Sequence, residues 1–184
     1  MDDVLREAGR IDVLVNNAGA IYPNTPLLEN TMDEDLFDCL QTHVRGPFLM
    51  MKKVIPVMRK QNSGVIVNIA SKSAVYAVPG LAAYSASKAA LVVLTQAAAK
   101  ELRETDVLCV AVCPAGMNTY AREKAYGRED AQRQMDPQRV ADVVTRIVTI
   151  RPIEIRRRWQ YVGGDCIIVR KDSLEVEKMR DDRV

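Results

Sequence analysis

Three observations predict an α/β domain built on a mainly parallel sheet of about four strands flanked by helices. Short apolar, β-branched runs recur at residues 11–16, 65–69 and 107–113, and stretches with helical periodicity separate them. Each run ends in turn-forming or small residues: Asn17-Ala18-Gly19, Ala70-Ser71 and Pro114. Strands that read as continuously apolar are buried on both faces, and the intervening helices supply right-handed crossovers between parallel neighbours.

The first strand is Ile-Asp-Val-Leu-Val-Asn at 11–16, and the second is Val65 to Ile69. A third spans 107–113, and Cys166 to Val169, with Tyr161-Val162 ahead of Gly163-Gly164, suggests a fourth strand or an interrupted pair. Helices are expected at about 36–59, interrupted near Gly46-Pro47, at about 83–103 and at 137–150. The last has Asp136 as N-cap and Pro137 at the first helical position, where a missing N–H costs nothing. Residues 118–135, with Gly127 and alternating charges, read as an exposed helix or lid, or equally as a solvated connection.

One domain is expected over 1–169, because no repeat or low-complexity linker divides the chain. Residues 170–184 hold five basic and five acidic residues with no extended apolar face, and are expected to form a frayed, solvent-exposed tail. The 184 residues suffice for one domain that buries roughly 70% of its unfolded surface. With 48% apolar and 27% charged residues the composition is that of a globular protein. The core must be aliphatic, since Phe and Trp together supply three residues.

A net charge of +2 is too small to imply nucleic acid as a partner. No uncharged run reaches the roughly 18 residues of a membrane span, and the start Met1-Asp2-Asp3 carries no basic, apolar signal segment. Cys39, Cys109, Cys113 and Cys166 form no CxxC pair, which disfavours a zinc site. A cytoplasmic protein with reduced core thiols is therefore expected.

Tyr84 and Lys88 stand four positions apart at the start of a helix, on one face, and Ser71 follows the second strand. This topology brings a hydroxyl, a phenol and an ammonium to the carboxyl ends of parallel strands, where open α/β sheets bind ligands. A free phenol titrates near ~10, and a nearby ammonium favours its ionised form. A serine hydroxyl can polarise a carbonyl, so the triplet suits proton transfer while hydride moves elsewhere. Taken alone, Tyr84 and Lys88 also fit a helix-surface phenol and a solvated cation. Arg151, Arg156, Arg157 and Arg158 beside Trp159 and Tyr161 read as a solvated rim, as cation–π packing or as a weak phosphate contact.

The order and spacing of these segments resemble the short-chain dehydrogenase/reductase family. Asn16-Asn17-Ala18-Gly19 is similar to that family's signature after its fourth strand, and Tyr84-Ser85-Ala86-Ser87-Lys88 to its YxxxK motif. Ser71 lies thirteen residues before Tyr84, a common family spacing. The resemblance covers about residues 11–150 and implies a partial Rossmann-like fold and hydride transfer between NAD or NADP and a small carbonyl or alcohol substrate.

It further implies that Tyr84 exchanges the proton, that Lys88 holds the nicotinamide ribose and depresses the phenol pKa, and that Ser71 orients the substrate oxygen. Asn16 would support the strand end, Ala18 and Gly19 would allow backbone approach to the cofactor, and Pro114 and Thr119 would lie by the nicotinamide carboxamide. His43 stands twenty-eight residues before Ser71, where the family usually places a fourth catalytic residue, an Asn. A neutral imidazole has both a donor and an acceptor nitrogen and can join a proton relay, or it can simply face solvent or a carbonyl.

Two departures bear on activity: this His43 and the glycine pattern. None of the nine glycines forms GxGxxG or the family's GxxxGxG, so the pyrophosphate turn, the NAD-versus-NADP selector and the family's first three strands are expected to be missing. The strand at 11–16 then becomes a sheet edge, an invitation to another chain. The helices at 43–59 and 83–103 match the family's usual dimerising pair, so a homo-oligomer or a longer related subunit is the expected partner. A noncatalytic assembly module and an incomplete product completed by upstream residues are the competing readings. Sugar, steroid, acyl-thioester and small-ketone substrates all stay open.

Overall fold

The computed structural model describes residues 2–19, 26–150 and 166–177. Strands β1 (Val13–Asn16), β2 (Gly64–Ile69), β3 (Val107–Pro114), β4 (Cys166–Val169) and β5 (Leu174–Glu177) form one sheet in that order. The first four are parallel and in register, and β5 runs antiparallel to β4. The α/β class and the four parallel strands agree with expectation. Residues 170–177 depart from the exposed tail that composition predicts for 170–184, because Leu174–Glu177 pairs with β4. The turn between them is tied by the Arg170 N–H to the Ser173 carbonyl and by Arg170 Nε to Glu175, 2.9 Å each. Backbone pairing along an available edge outweighs the polar composition there.

Helices α1 (Asp2–Ala8), α2 (Asp33–Leu40), α3 (Gly46–Gln61), α4 (Ala82–Glu101), α5 (Tyr120–Tyr126), α6 (Arg128–Arg133) and α7 (Gln138–Thr149) complete the described structure. The 118–135 region contains two short helices. Asp136 does accept from the Gln138 N–H, at 2.8 Å, in the first turn of α7. The second strand segment expected at Tyr161-Val162 and the arginine cluster at 151–158 lie outside the described residues.

Successive side chains of a strand point to opposite faces, and the core divides accordingly. Val65, Val67, Ile69, Leu108, Val110, Val112, Ile167 and Val169 pack with Val140, Val143 and Ile147 of α7. On the other face Leu14, Ile66 and Cys109 meet Met51, Val54 and Met58 of α3 and Ala98 and Ala99 of α4. Ala70, Ala111, Cys113, Cys166 and Ile168 meet Leu91 and Val92 of α4. Close approach matters at Gly64, where a Cβ would collide with the Met58 side chain.

The interruption expected at Gly46-Pro47 falls one turn earlier, as a π turn at Gln41–Arg45 closed by the Gly46 N–H to the Gln41 carbonyl. Pro47 explains the displacement. It has no N–H for the carbonyl of residue 43, and its ring would crowd that carbonyl in a regular helix. One extra residue in the turn relieves the crowding, and it turns His43 into the interior.

Candidate active site

Strand β2 carries the chain to Ser71, whose extended backbone caps the 3₁₀ turn Lys72–Ala74. Ser71 Oγ accepts from the Ser73 backbone N–H at 3.2 Å and from the Ser73 hydroxyl at 2.9 Å. Helix α4 starts beside this turn, so Tyr84 and Lys88 share the face directed at the strand ends. Lys88 Nζ lies 5.8 Å from the centre of the Tyr84 ring and donates to the Ile69 carbonyl at 2.8 Å. It is 3% exposed, an unusual position for an ammonium.

His43 is wholly buried and meets the Tyr84 ring edge-on, with centres 5.3 Å apart and planes at 88°. Its Nδ1 is 2.8 Å from Ser87 Oγ. Ser87 gives its own proton to the Tyr84 carbonyl at 2.8 Å, so His43 Nδ1–H must be the donor to Ser87. The neutral ring therefore keeps its lone pair on Nε2, the nitrogen nearest Gly19, where a Cβ would sit 3.8 Å away.

Burial sets the electrostatics. It lowers the Lys88 pKa from 10.5 to about 8 and, with the Lys88 charge as a second cause, lowers His43 from 6.5 to about 4. The Tyr84 phenol lies above its ordinary value because desolvation exceeds the opposing pull of hydrogen bonding with Ser71. The depressed phenol pKa expected from Lys88 is thus not the direction found: taking the phenolate out of water is the larger effect.

A cleft of about 700 Å³ opens over this corner. Ser71, Tyr84, Pro114 and Thr119 line it together, with Tyr76, Gly116, Met117, Arg122, Tyr126 and Gln134. Lys88 and His43 sit behind Tyr84 and do not line it. Asn16, Ala18 and Gly19 are also outside the lining. Asn16 Nδ2 instead donates to Asn68 Oδ1 at 2.7 Å, and Asn68 Nδ2 donates to Thr95 Oγ1 at 2.8 Å, a buried polar tie from β1 through β2 to α4. Thr119 Oγ1 caps α5 by accepting from the Arg122 N–H at 3.2 Å, which leaves its proton for a ligand.

Sequence reasoning missed Ser73, Ser87, Asn68 and Arg122. Ser73 and Ser87 could have been found as hydroxyls two residues after Ser71 and three after Tyr84. Arg122, whose guanidinium stacks 3.9 Å over Tyr126 and pairs with Asp130, gave no such signal. Among the described residues no cluster of His, Cys, Asp or Glu could hold a metal, and no helix is long and apolar enough to cross a membrane.

A family profile described as short chain dehydrogenase matches residues 1–130. The chain belongs to the short-chain dehydrogenase family. Its similarity extends to the 3-oxoacyl-(acyl-carrier-protein) reductase FabG of Thermotoga maritima, 36% identical over 152 residues that make up 78% of this chain and 61% of that protein. Among solved structures, NAD+-bound xylitol dehydrogenase is 37% identical, with a TM-score of 0.58 over 63% of this chain and 44% of that one. ElxO with NADP bound is 31% identical, with a TM-score of 0.65 over 70% and 52%. The short-chain dehydrogenase chain thus spans about half the length of the relatives it matches. The two solved relatives bind NAD+ or NADP, the two cofactors expected from the sequence.

Proposed function

We propose that this chain carries the proton-transfer corner and the nicotinamide side of an NAD(P)-dependent oxidoreductase site, acting on a small carbonyl or alcohol. One observation carries the reading: the Ser71 hydroxyl and the Tyr84 phenol line one cleft, with a buried ammonium 5.8 Å from the phenol ring. The groups lining the cleft fit the ribose and carboxamide end of a nicotinamide nucleotide, with Tyr84, backed by the buried Lys88, toward the ribose and Pro114 and Thr119 toward the carboxamide. No residue is assigned to the diphosphate, because none of the glycines stands in a GxGxxG or GxxxGxG pattern. Asn16 at the end of β1, with Ala18 and Gly19 just after it, belongs to the cofactor side through this backbone. When bound, the nicotinamide supplies or accepts the hydride.

In the reducing direction Ser71 donates a hydrogen bond to the substrate oxygen and polarises the carbonyl, and Tyr84 gives that oxygen its proton. Lys88 stabilises the resulting phenolate, which lies next to its charge. His43, fixed as an Nε2 acceptor, stands behind the phenol as a relay residue. Tyr76, Leu81, Met117 and Tyr126 give the cleft apolar walls suited to the carbon part of the substrate.

The test is direct titration of the folded chain with NADH and NADPH, followed by turnover of a panel of carbonyls. Saturable binding and a loss of about 10²- to 10⁴-fold in kcat for Tyr84→Phe are expected. A folded chain with no saturable binding rejects autonomous catalysis.

A second reading, a noncatalytic assembly module in the cytosol, is favoured by exposed apolar side chains. Phe37 of α2 is 61% exposed, Phe48 of α3 46% and Val93 of α4 58%. These faces suit a second copy or a longer related subunit. A stable monomer by light scattering that does not associate with such a subunit rejects this reading.

A further inference from the structure

Ser71 Oγ receives two hydrogen bonds from a single neighbour, the Ser73 backbone N–H and the Ser73 hydroxyl. A serine hydroxyl has one proton to give and two lone pairs with which to accept. Both lone pairs are engaged, so the proton is the part of this hydroxyl left to act on the cleft. Ser73 is itself firmly held. It is 8% exposed and sits in the turn that Ser71 caps, closed by the Ala74 N–H to the Ser71 carbonyl at 3.0 Å.

We propose that Ser73 is a positioning residue that makes Ser71 an obligate hydrogen-bond donor, to the Tyr84 phenol oxygen before substrate binds and to the carbonyl oxygen once it is bound. Without Ser73, Ser71 could turn its proton away and accept from the phenol instead, which would hold Tyr84 in its neutral form and leave the substrate oxygen unpolarised. Ser71 and Tyr84 line the same cleft, and hydrogen bonding with Ser71 acts to lower the Tyr84 pKa, the direction expected of a donor. Lys88, His43, Cys39, Cys113 and Tyr126 also face Tyr84, from α4, the π turn, α2, β3 and α5. A substitution at position 73 leaves all of them in place. The role deepens the proton-transfer reading and rests on it.

The experiment follows the ionisation of Tyr84 by phenolate absorbance, as the difference between each variant and the same variant carrying Tyr84→Phe. That signal needs neither cofactor nor turnover. Ser73→Ala is expected to raise the Tyr84 midpoint by about half a pH unit or more. Ser71→Ala should raise it at least as far, and the double variant no further than Ser71→Ala alone, because the two act as one unit. Ser73→Thr, which keeps both donors, should restore the wild-type midpoint. Ser73→Cys, of similar volume and weaker donor strength, should shift in the same sense as alanine and serves if the alanine variant does not fold.

In turnover with NADPH and a carbonyl substrate, Ser73→Ala should lower kcat several-fold and leave the cofactor KM unchanged. An unchanged midpoint in Ser73→Ala and Ser73→Cys overturns the proposal, as does a double variant whose shift is the sum of the two singles. Absence of turnover in the wild type, with the midpoint shifts present, overturns the oxidoreductase reading of the cleft and supports the Ser73–Ser71 pairing.

Discussion

Strands β1 and β2 are written in nearly the same residues and lie side by side, Val13 against Val65, Leu14 against Ile66 and Val15 against Val67. Their surroundings differ. Val65, Ile66 and Val67 are all buried, whereas Val13 is 40% and Val15 42% exposed, and Leu14 alone of the three in β1 is buried. Helix α7 covers the valine face of β2 and β3, and within the described residues nothing covers that face of β1. Coverage by a helix, rather than composition, separates the two strands. The site inherits the division: Ser71 is anchored at the end of a strand packed on both faces, while Asn16 ends, and Ala18 and Gly19 follow, one packed on a single face.

Ile66→Ala removes a wholly buried side chain of β2, and chemical denaturation should register a loss of about 2–5 kcal/mol. A loss below about 1 kcal/mol would mean that β2 is not tightly packed on the face it turns to α3 and α4.

The next effect concerns pH, at the groups between the two regions. Below about 6.5 the unfolded chain takes up a proton at His43, while the folded chain does so only near 4. Stability should therefore fall as pH drops from about 6.5 to about 4, by about 3 kcal/mol at most, and His43→Asn should flatten this stretch of the curve. Lys88 behaves likewise at higher pH. The unfolded chain binds its proton below about 10.5 and the folded chain below about 8, so stability should rise with pH across that window. Lys88→Met should remove the rise, and an unchanged slope would mean that the ammonium is better solvated than its burial implies.

A smaller effect tests the polar tie. A double-mutant cycle on Asn16→Ala and Asn68→Ala should yield a coupling of about 1 kcal/mol, since the two amides bond directly across the β1–β2 ladder. A coupling near zero would detach Asn16 from the core. The smallest change is expected for Val15→Ala, within about 0.5 kcal/mol, because its side chain is already half in water.

Much of the molecule is legible in its sequence, for physical reasons. The continuous apolar text of β2 and β3 can satisfy its backbone only inside a sheet and its side chains only beneath helices, so the parallel core follows from pattern. The four-residue spacing of Tyr84 and Lys88 fixes a shared helix face whatever surrounds it. Three things are not legible. Strand β5 is specified by an open edge on β4, which polar residues such as Glu175 do not announce. The π turn depends on a clash between Pro47 and a carbonyl four residues earlier, a backbone effect invisible to hydropathy. The raised phenol pKa depends on how much water the fold removes from Tyr84, a quantity that no motif contains.

Burial of the four cysteines has a practical consequence. Cys39, Cys109, Cys113 and Cys166 are each shielded from solvent, and burial pushes the Cys109 thiol up to about 12. A thiolate-seeking reagent can reach such a sulfur only when the local structure opens, so labelling rates measure opening events. Three of the four lie on β3 and β4 and the fourth on α2, which furnishes the native chain with its own set of clocks, read by mass spectrometry without any engineered probe.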